Sequence, residues 1–168
     1  MKPNSKYLEI GSWMGLSSIM VAFGLLSNSN FFSKIYCVDP WDVMPEQENF
    51  SALLHTTDLY QTFLANITKT KVSKFIKPLR GKSIEIEKTL DPSEKFDIIF
   101  IDGEHTFEAC YEDIISWLPR LKENGLMIGH DATPESGVDK ALKKLEQETD
   151  FKYSIIEPPY ASYIWQKL

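Results

Sequence analysis

The chain has only two cysteines, Cys37 and Cys110. They lack the paired spacing of a zinc site and the density of a disulfide scaffold, so both read as small buried apolar residues, in a strand and a helix respectively. No apolar run approaches the roughly 20 residues of a membrane span, and no signal peptide is visible, which leads to an expectation of no membrane association and a reducing, cytoplasmic setting. Positive charge is in deficit: 18 Lys and Arg stand against 24 Asp and Glu, for a net charge of -6. A protein that grips a phosphate backbone needs clustered cations, so nucleic acid is not expected as a partner. Repeats and low-complexity tracts are absent. So is a dinucleotide fingerprint, because Trp13 stands where G-x-G-x-x-G needs its second glycine.

What is present is a regular alternation of apolar runs and amphipathic segments, enough for one domain over residues 1–168. It predicts an α/β fold, a Rossmann-like, doubly wound, mostly parallel sheet with helices on both faces. Strands are expected at 6–11, 34–39, 74–79, 96–102, 125–130, 151–157 and 162–167. A helix is expected after Thr106, with Phe107, Cys110, Tyr111, Ile114, Leu118 and Leu121 on one face and Asn124-Gly125 as its stop. Others are expected near 58–70 and 137–149. Residues 40–57 read as a long excursion that could form a lid. Only Pro158-Pro159-Tyr160-Ala161 separates the last two strands, too little for a helical crossover, so they must form an antiparallel hairpin.

The residues with chemical character fall at the carboxyl ends of expected strands, the edge where open α/β sheets bind ligands. Glu9-x-Gly11-Ser12-Trp13-x-Gly15-x-Ser17 joins the first strand to a helix through a glycine turn, and the helix start offers unpaired N–H groups to an anionic or hydroxylated ligand. Glu9 is a carboxylate in an apolar strand, and so is expected to order that turn or to touch a ligand. Asp39 ends the second strand, where a carboxylate can accept from both hydroxyls of a ribose, although Asp-Pro could equally start a turn. Trp41 is either a core aromatic or a cover over a base. Gly81-Lys82-Ser83 follows the third strand, with Ser83 open to helix capping. Asp102 ends the fourth strand and is followed three residues on by His105. His130 and Asp131 end the fifth.

In order and placement these motifs resemble the class I S-adenosylmethionine (SAM) dependent methyltransferases, whose sheet also ends in an antiparallel hairpin. Within them the chain is most similar to small-molecule O-methyltransferases of the catechol and macrocin/mycinamicin type. The resemblance covers almost the whole chain, through Phe100-Ile101-Asp102-Gly103-Glu104-His105 and Gly129-His130-Asp131 as well as the glycine turn. It implies SAM as cofactor, held by Glu9, Gly11, Ser12, Trp13, Gly15, Ser17, Asp39, Trp41, Gly81, Lys82, Ser83 and Asp102. Asp39 would take the SAM ribose, Ser17 the methionine carboxylate, and Gly81-Lys82-Ser83 the adenine. It also implies His105 as the base that removes the acceptor proton, with Asp102 beside it. Asp102 and Asp131 would converge on a divalent cation, Mg²⁺ for an oxygen-rich set. With His130 as a third ligand Mn²⁺ or Fe²⁺ becomes suitable, while a metal-free enzyme would use His105 and His130 as bases.

The expected activity is methyl transfer to a hydroxyl of a small molecule, with a homo-oligomer compatible with it. The chain starts almost at its first strand, so no N-terminal cap is expected over the cofactor. A non-catalytic or partner-dependent SAM-binding domain is the main alternative, and a relative of the cephalosporin-hydroxylase group another. An NAD-linked oxidoreductase fits the glycine spacing and the hairpin less well. Glu157-Pro158-Pro159-Tyr160 looks like an amino-methyltransferase motif, but that motif belongs after the fourth strand, and here it reads as the hairpin turn.

Overall fold

The apolar runs Lys6–Ile10 (β1), Lys34–Asp39 (β2) and Phe96–Ile101 (β4) form the centre of one seven-stranded sheet. Strands covered on both faces need apolar residues at nearly every position, which is why these runs are continuous rather than alternating. The computed structural model describes residues 4–28, 33–42, 58–156 and 162–167. The remaining strands are Ile76–Arg80 (β3), Leu121–Gly129 (β5), Ser154–Ile156 (β6) and Ser162–Gln166 (β7). The sheet order is β3-β2-β1-β4-β5-β7-β6. β1 pairs in parallel with both β2 and β4, so the order in which successive strands are added to the sheet reverses at the β1/β4 boundary. A crevice opens outside the carboxyl ends of strands at such a boundary.

Five α-helices are present among the described residues: Leu16–Ser27 (α1), Leu59–Lys69 (α2), Ser83–Thr89 (α3), Phe107–Trp117 (α4) and Gly137–Glu148 (α5). The strand period sorts the core. Leu8, Ile10, Tyr36 and Val38 face a layer that includes Cys110, Ile114 and Trp117 of α4 with Val138, Leu142 and Leu145 of α5. Tyr7, Ile35 and Cys37 face Ile19, Ala22 and Leu25 of α1 with Phe63 and Ile67 of α2. Glu9 falls in register with Tyr7, so its carboxylate points into the α1 side. Cys37 and Cys110 are both buried free thiols. No helix of the described residues is long and apolar enough to cross a membrane.

The closing hairpin forms as expected, with β7 antiparallel to both β5 and β6. Several boundaries move. β3 begins at Ile76 after a 3-10 turn at Ser73–Phe75, and the strand expected at 151–157 begins only at Ser154. The helix after Thr106 ends at Trp117, not at Asn124-Gly125. Pro119 has no N–H to continue the helical ladder, and Leu118–Arg120 closes as a 3-10 turn. β5 therefore starts at Leu121, four residues earlier than the spacing suggests. Asn124-Gly125 is a turn, but one inside the strand: Phe96 pairs with Leu121 and Ile98 with Leu126, so β5 bulges there, with Asn124 at φ 60°. The lid expected at 40–57 lies, beyond Asp42, outside the described residues, as does the Glu157–Tyr160 turn.

Candidate functional site

The crevice at the β1/β4 boundary is a cavity of about 650 Å³. Ile10 and Gly11 from β1, Val38 and Asp39 from β2, Lys82–Ile84 from the start of α3 and Asp102–His105 from the end of β4 line it. Its acidic lining residues are Asp39, Asp42, Asp102, Glu104, Glu112 and Asp113, against the ammonium of Lys82. A cationic ligand is favoured by that balance.

Gly11 makes the turn out of β1 possible. Its φ is 84°, and a Cβ built on it would lie 2.0 Å from the carbonyl oxygen of Asp102, so the two loops touch backbone to backbone. Gly15 follows as the left-handed cap residue of α1. Ser12 is buried, whereas Trp13 is 47% exposed and lines the cavity. Beneath the turn, Glu9 is fully buried and accepts from Ser17 Oγ at 2.6 Å and Ser18 Oγ at 2.8 Å. Burial pushes its carboxyl up to about 7; the two hydroxyls oppose this, and the nearby charges of Asp102 and Asp39 add to it. Ser17 thus spends its proton on Glu9.

Asp39 is held from two sides. Trp13 N donates to its Oδ2 at 2.8 Å and Trp41 N to its Oδ1 at 2.6 Å. Burial raises its pKa, while these amides work the other way. Of the two readings for Trp41, its position is the core one. The ring is buried against Tyr60 and Phe63, with centroids 4.9 and 4.8 Å away, and its Nε1 donates to Trp13 O at 2.7 Å. The aromatic at the cavity is Trp13 instead.

After β3, Gly81 leads to Lys82 and Ser83. Ser83 is the first residue of α3 rather than its cap: the cap position is Lys82 and carries no side-chain bond. The Ser83 hydroxyl accepts from Trp117 Nε1 at 2.7 Å and opposes the rise that burial gives the pKa of Asp113 on α4. Asp113 lines the cavity and was missed by sequence reasoning, as were Glu104 and Glu112. One signal could have found it: Asp113 lies three residues after Cys110 and four before Trp117, on the buried face of α4.

At the other wall stand Asp102 and His105, and His130 and Asp131 meet them from the end of β5. His105 Nε2 lies 3.2 Å from Asp131 Oδ2 and 3.6 Å from Asp102 Oδ1. His130 Nδ1 lies 3.0 Å from Asp131 Oδ1 and 3.9 Å from Asp102 Oδ1. Thr106 caps α4 by accepting from Ala109 N at 3.3 Å, which fixes the loop that carries His105. Gly137 supports the same loop. A Cβ there would lie 2.2 Å from His105 O, so only glycine lets the start of α5 press against it. Ligand atoms of Asp102, His105 and Asp131 lie within 4.8 Å of one another, and two carboxylates with an imidazole suit a divalent cation.

A family model for a methyltransferase domain matches residues 8–132 of the chain, from β1 through the Asp102–Asp131 cluster. The chain belongs to that family. Solved structures share the fold of the class I SAM-dependent methyltransferases. A proposed O-methyltransferase from Klebsiella pneumoniae aligns with a TM-score of 0.72 at 16% identity, over 98% of this chain and 74% of that one. TomG from Streptomyces achromogenes, an O-methyltransferase of tomaymycin synthesis solved with SAM, aligns at 0.70 and 16%, over 97% and 72%. A proposed rRNA methylase from Clostridium thermocellum aligns at 0.71 and 11%, over 100% and 91%. At such identities the likeness shows the fold alone. None of the curated proteins matches this chain.

Proposed function

We propose that this methyltransferase domain uses SAM to methylate a hydroxyl of a small molecule. The observation that carries the reading is the meeting of two half-sites in one crevice: a glycine turn with Asp39 on one side, and Asp102 and His105 on the other, with Asp131 3.2 Å from the His105 ring. In this reading Asp39, aligned by the amides of Trp13 and Trp41, accepts from the ribose hydroxyls. The first-turn amides of α1 take the methionine carboxylate, and the acidic lining suits a sulfonium cation.

SAM supplies an activated methyl: the acceptor oxygen bonds to the methyl carbon as the carbon–sulfur bond breaks, and the electron pair leaves on sulfur. The protein's work is then positioning and proton removal. His105 takes the hydroxyl proton on Nε2, with Asp131 and Asp102 beside that nitrogen to stabilise the imidazolium. Asp102, Asp131 and the imidazole of His105, rather than the expected His130, fit a divalent cation, which would lower the pKa of an acceptor hydroxyl. If His105 is the ligand, His130 remains as the base. A small acceptor is favoured over nucleic acid by the net charge of -6.

Calorimetry with SAM and S-adenosylhomocysteine tests the cofactor. Binding in the micromolar range is expected, weakened severely by Asp39→Ala, and absence of binding by the wild-type protein overturns the reading. With an acceptor in hand, loss of turnover in chelator and its return with Mg²⁺ or Mn²⁺ assigns the cation. Full activity in chelator assigns proton removal to the histidines alone.

A further inference from the structure

The two faces of the sheet are covered unequally. β4 and β5 belong to its parallel part, and parallel strands are found with both faces covered. On one face Ile99, Ile101, Met127 and Tyr163 are buried in the layer that holds α4 and α5. On the other, Ile98 and Phe100 of β4 stand in register with Leu126 and Ile128 of β5, and Ile128 with Ile164 of β7, so these five side chains form one apolar shelf. All five are only half-buried. Ile98 and Phe100 touch the layer of α1 and α2, whereas Leu126, Ile128 and Ile164 join neither core layer among the described residues. α1 and α2 pack on β1, β2 and β3 and leave this half of the face open.

Beside the shelf stands a ridge of the same character. α1 is the one α-helix among the described residues without an Asp, Glu, Lys or Arg. Its inner face holds Ser18, Ile19, Ala22 and Leu25, all buried, and the side turned away from the sheet carries Leu16, Met20 and Phe23, which are 75, 61 and 41% exposed. A Cβ built on Gly24, on that same side, would meet nothing within 4 Å. A helix that is apolar all round is ordinarily a buried one. Whatever covers ridge and shelf must itself be uncharged, because a charge pressed there would lose its water without gaining a partner. The chain carries such a surface in α1. We propose that two copies of this chain pair about a two-fold axis running along the strands, the outer stripe of α1 from each copy lying on the β4-β5-β7 shelf of the other. β4 neighbours β1 in the sheet, so ridge and shelf lie side by side on one face, and one rotation makes both contacts at once, as an isologous pair requires. Leu16, Met20 and Phe23 alone offer roughly 350 Å² per copy, nearly half of the about 800 Å² per partner in a standard interface, before the shelf is counted. The pairing is independent of what the crevice binds.

The test is the mass of the full chain in solution, read by sedimentation. The wild-type protein is expected as a particle of twice 19.3 kDa. Met20→Lys puts a charge on the ridge and Ile128→Asp puts one on the shelf, and each should weaken pairing by about 100-fold or more, leaving monomers. Mixed in equal amounts, the two variants should pair again. The mixed pair gathers both changes, of opposite charge, into one of its two contacts and leaves the other contact as in wild type. If Ile128→Asp does not fold by circular dichroism, Ile164→Asp takes its place nearer the sheet edge. A wild-type chain that stays monomeric at about 100 µM overturns the pairing and leaves the shelf to a helix of another protein. A dimer that survives both substitutions overturns it as well, and two monomeric variants that fail to pair on mixing overturn the laying of ridge on shelf.

Discussion

The two walls of the crevice are built differently. On the cofactor side the polar groups are anchored before any ligand arrives: Glu9 by two hydroxyls, Asp39 by two amides, and the turn by a backbone contact that no side chain can enter. On the other side, Asp102, His105, His130 and Asp131 meet one another with side chains 33 to 47% exposed. Preorganised dipoles cost little to use, whereas partly solvated charges must shed water when a ligand binds. In the proposed reading the difference separates labour: the first wall would hold one invariant molecule, and the second would adapt to an acceptor.

That separation is breakable. The largest effect is expected at the exposed wall, where His105→Gln should lower kcat by about 10²- to 10⁴-fold while SAM affinity stays within about threefold, as checked by turnover and calorimetry together. A matching fall in affinity would join the two walls into one unit. Gly11→Ala acts on the other wall. Strain at φ 84° and the clash with Asp102 O should cost about 3 kcal/mol or more, visible as a lowered melting temperature with cofactor binding lost. Asp39→Asn keeps the shape and removes the charge, so cofactor affinity should fall by about 10- to 100-fold with the fold intact by circular dichroism.

The smallest effect concerns pH. Glu9 sits near 7 in the folded protein instead of the ordinary 4.5. Between those values this site binds more protons in the folded state than in the unfolded one, so the contribution of Glu9 to stability is greatest below about 4.5 and is lost as pH rises through 7. The span is at most about 3 kcal/mol, and Asp113, raised to about 6, acts with the same sign. Glu9→Gln removes its part. The gap in melting temperature between Glu9→Gln and wild type should therefore move in favour of the variant from pH 5 to pH 8. A constant gap would mean that Glu9 does not titrate in that range.

The sheet was legible because its signals are local or directional. Continuous apolar runs, glycine turns at strand ends and a four-residue link before the last strand are all read within short windows. The Asp102, His105, His130 and Asp131 convergence was also accessible, since neighbouring parallel strands end at the same edge. Asp113 was not, because its meaning comes from Ser83, a partner whose own contact with Trp117 spans 34 positions of chain. For the same reason Ser83 passed for a helix cap. The misplaced end of α4 has a different origin: apolar periodicity runs through Pro119, while the missing N–H that stops the helix leaves no trace in that pattern.

The bond from Trp41 to the Trp13 carbonyl, together with the one from Trp117 to Ser83, gives the crevice an optical signature. One indole lines the cavity beside Asp39, and another touches the opposite wall through a single hydroxyl. Emission from Trp13 should be quenched when the ribose side fills, and that from Trp117 should shift only when the α3 side does. Variants retaining one or the other would let the filling of each end be followed in real time, without a label and before any acceptor is known.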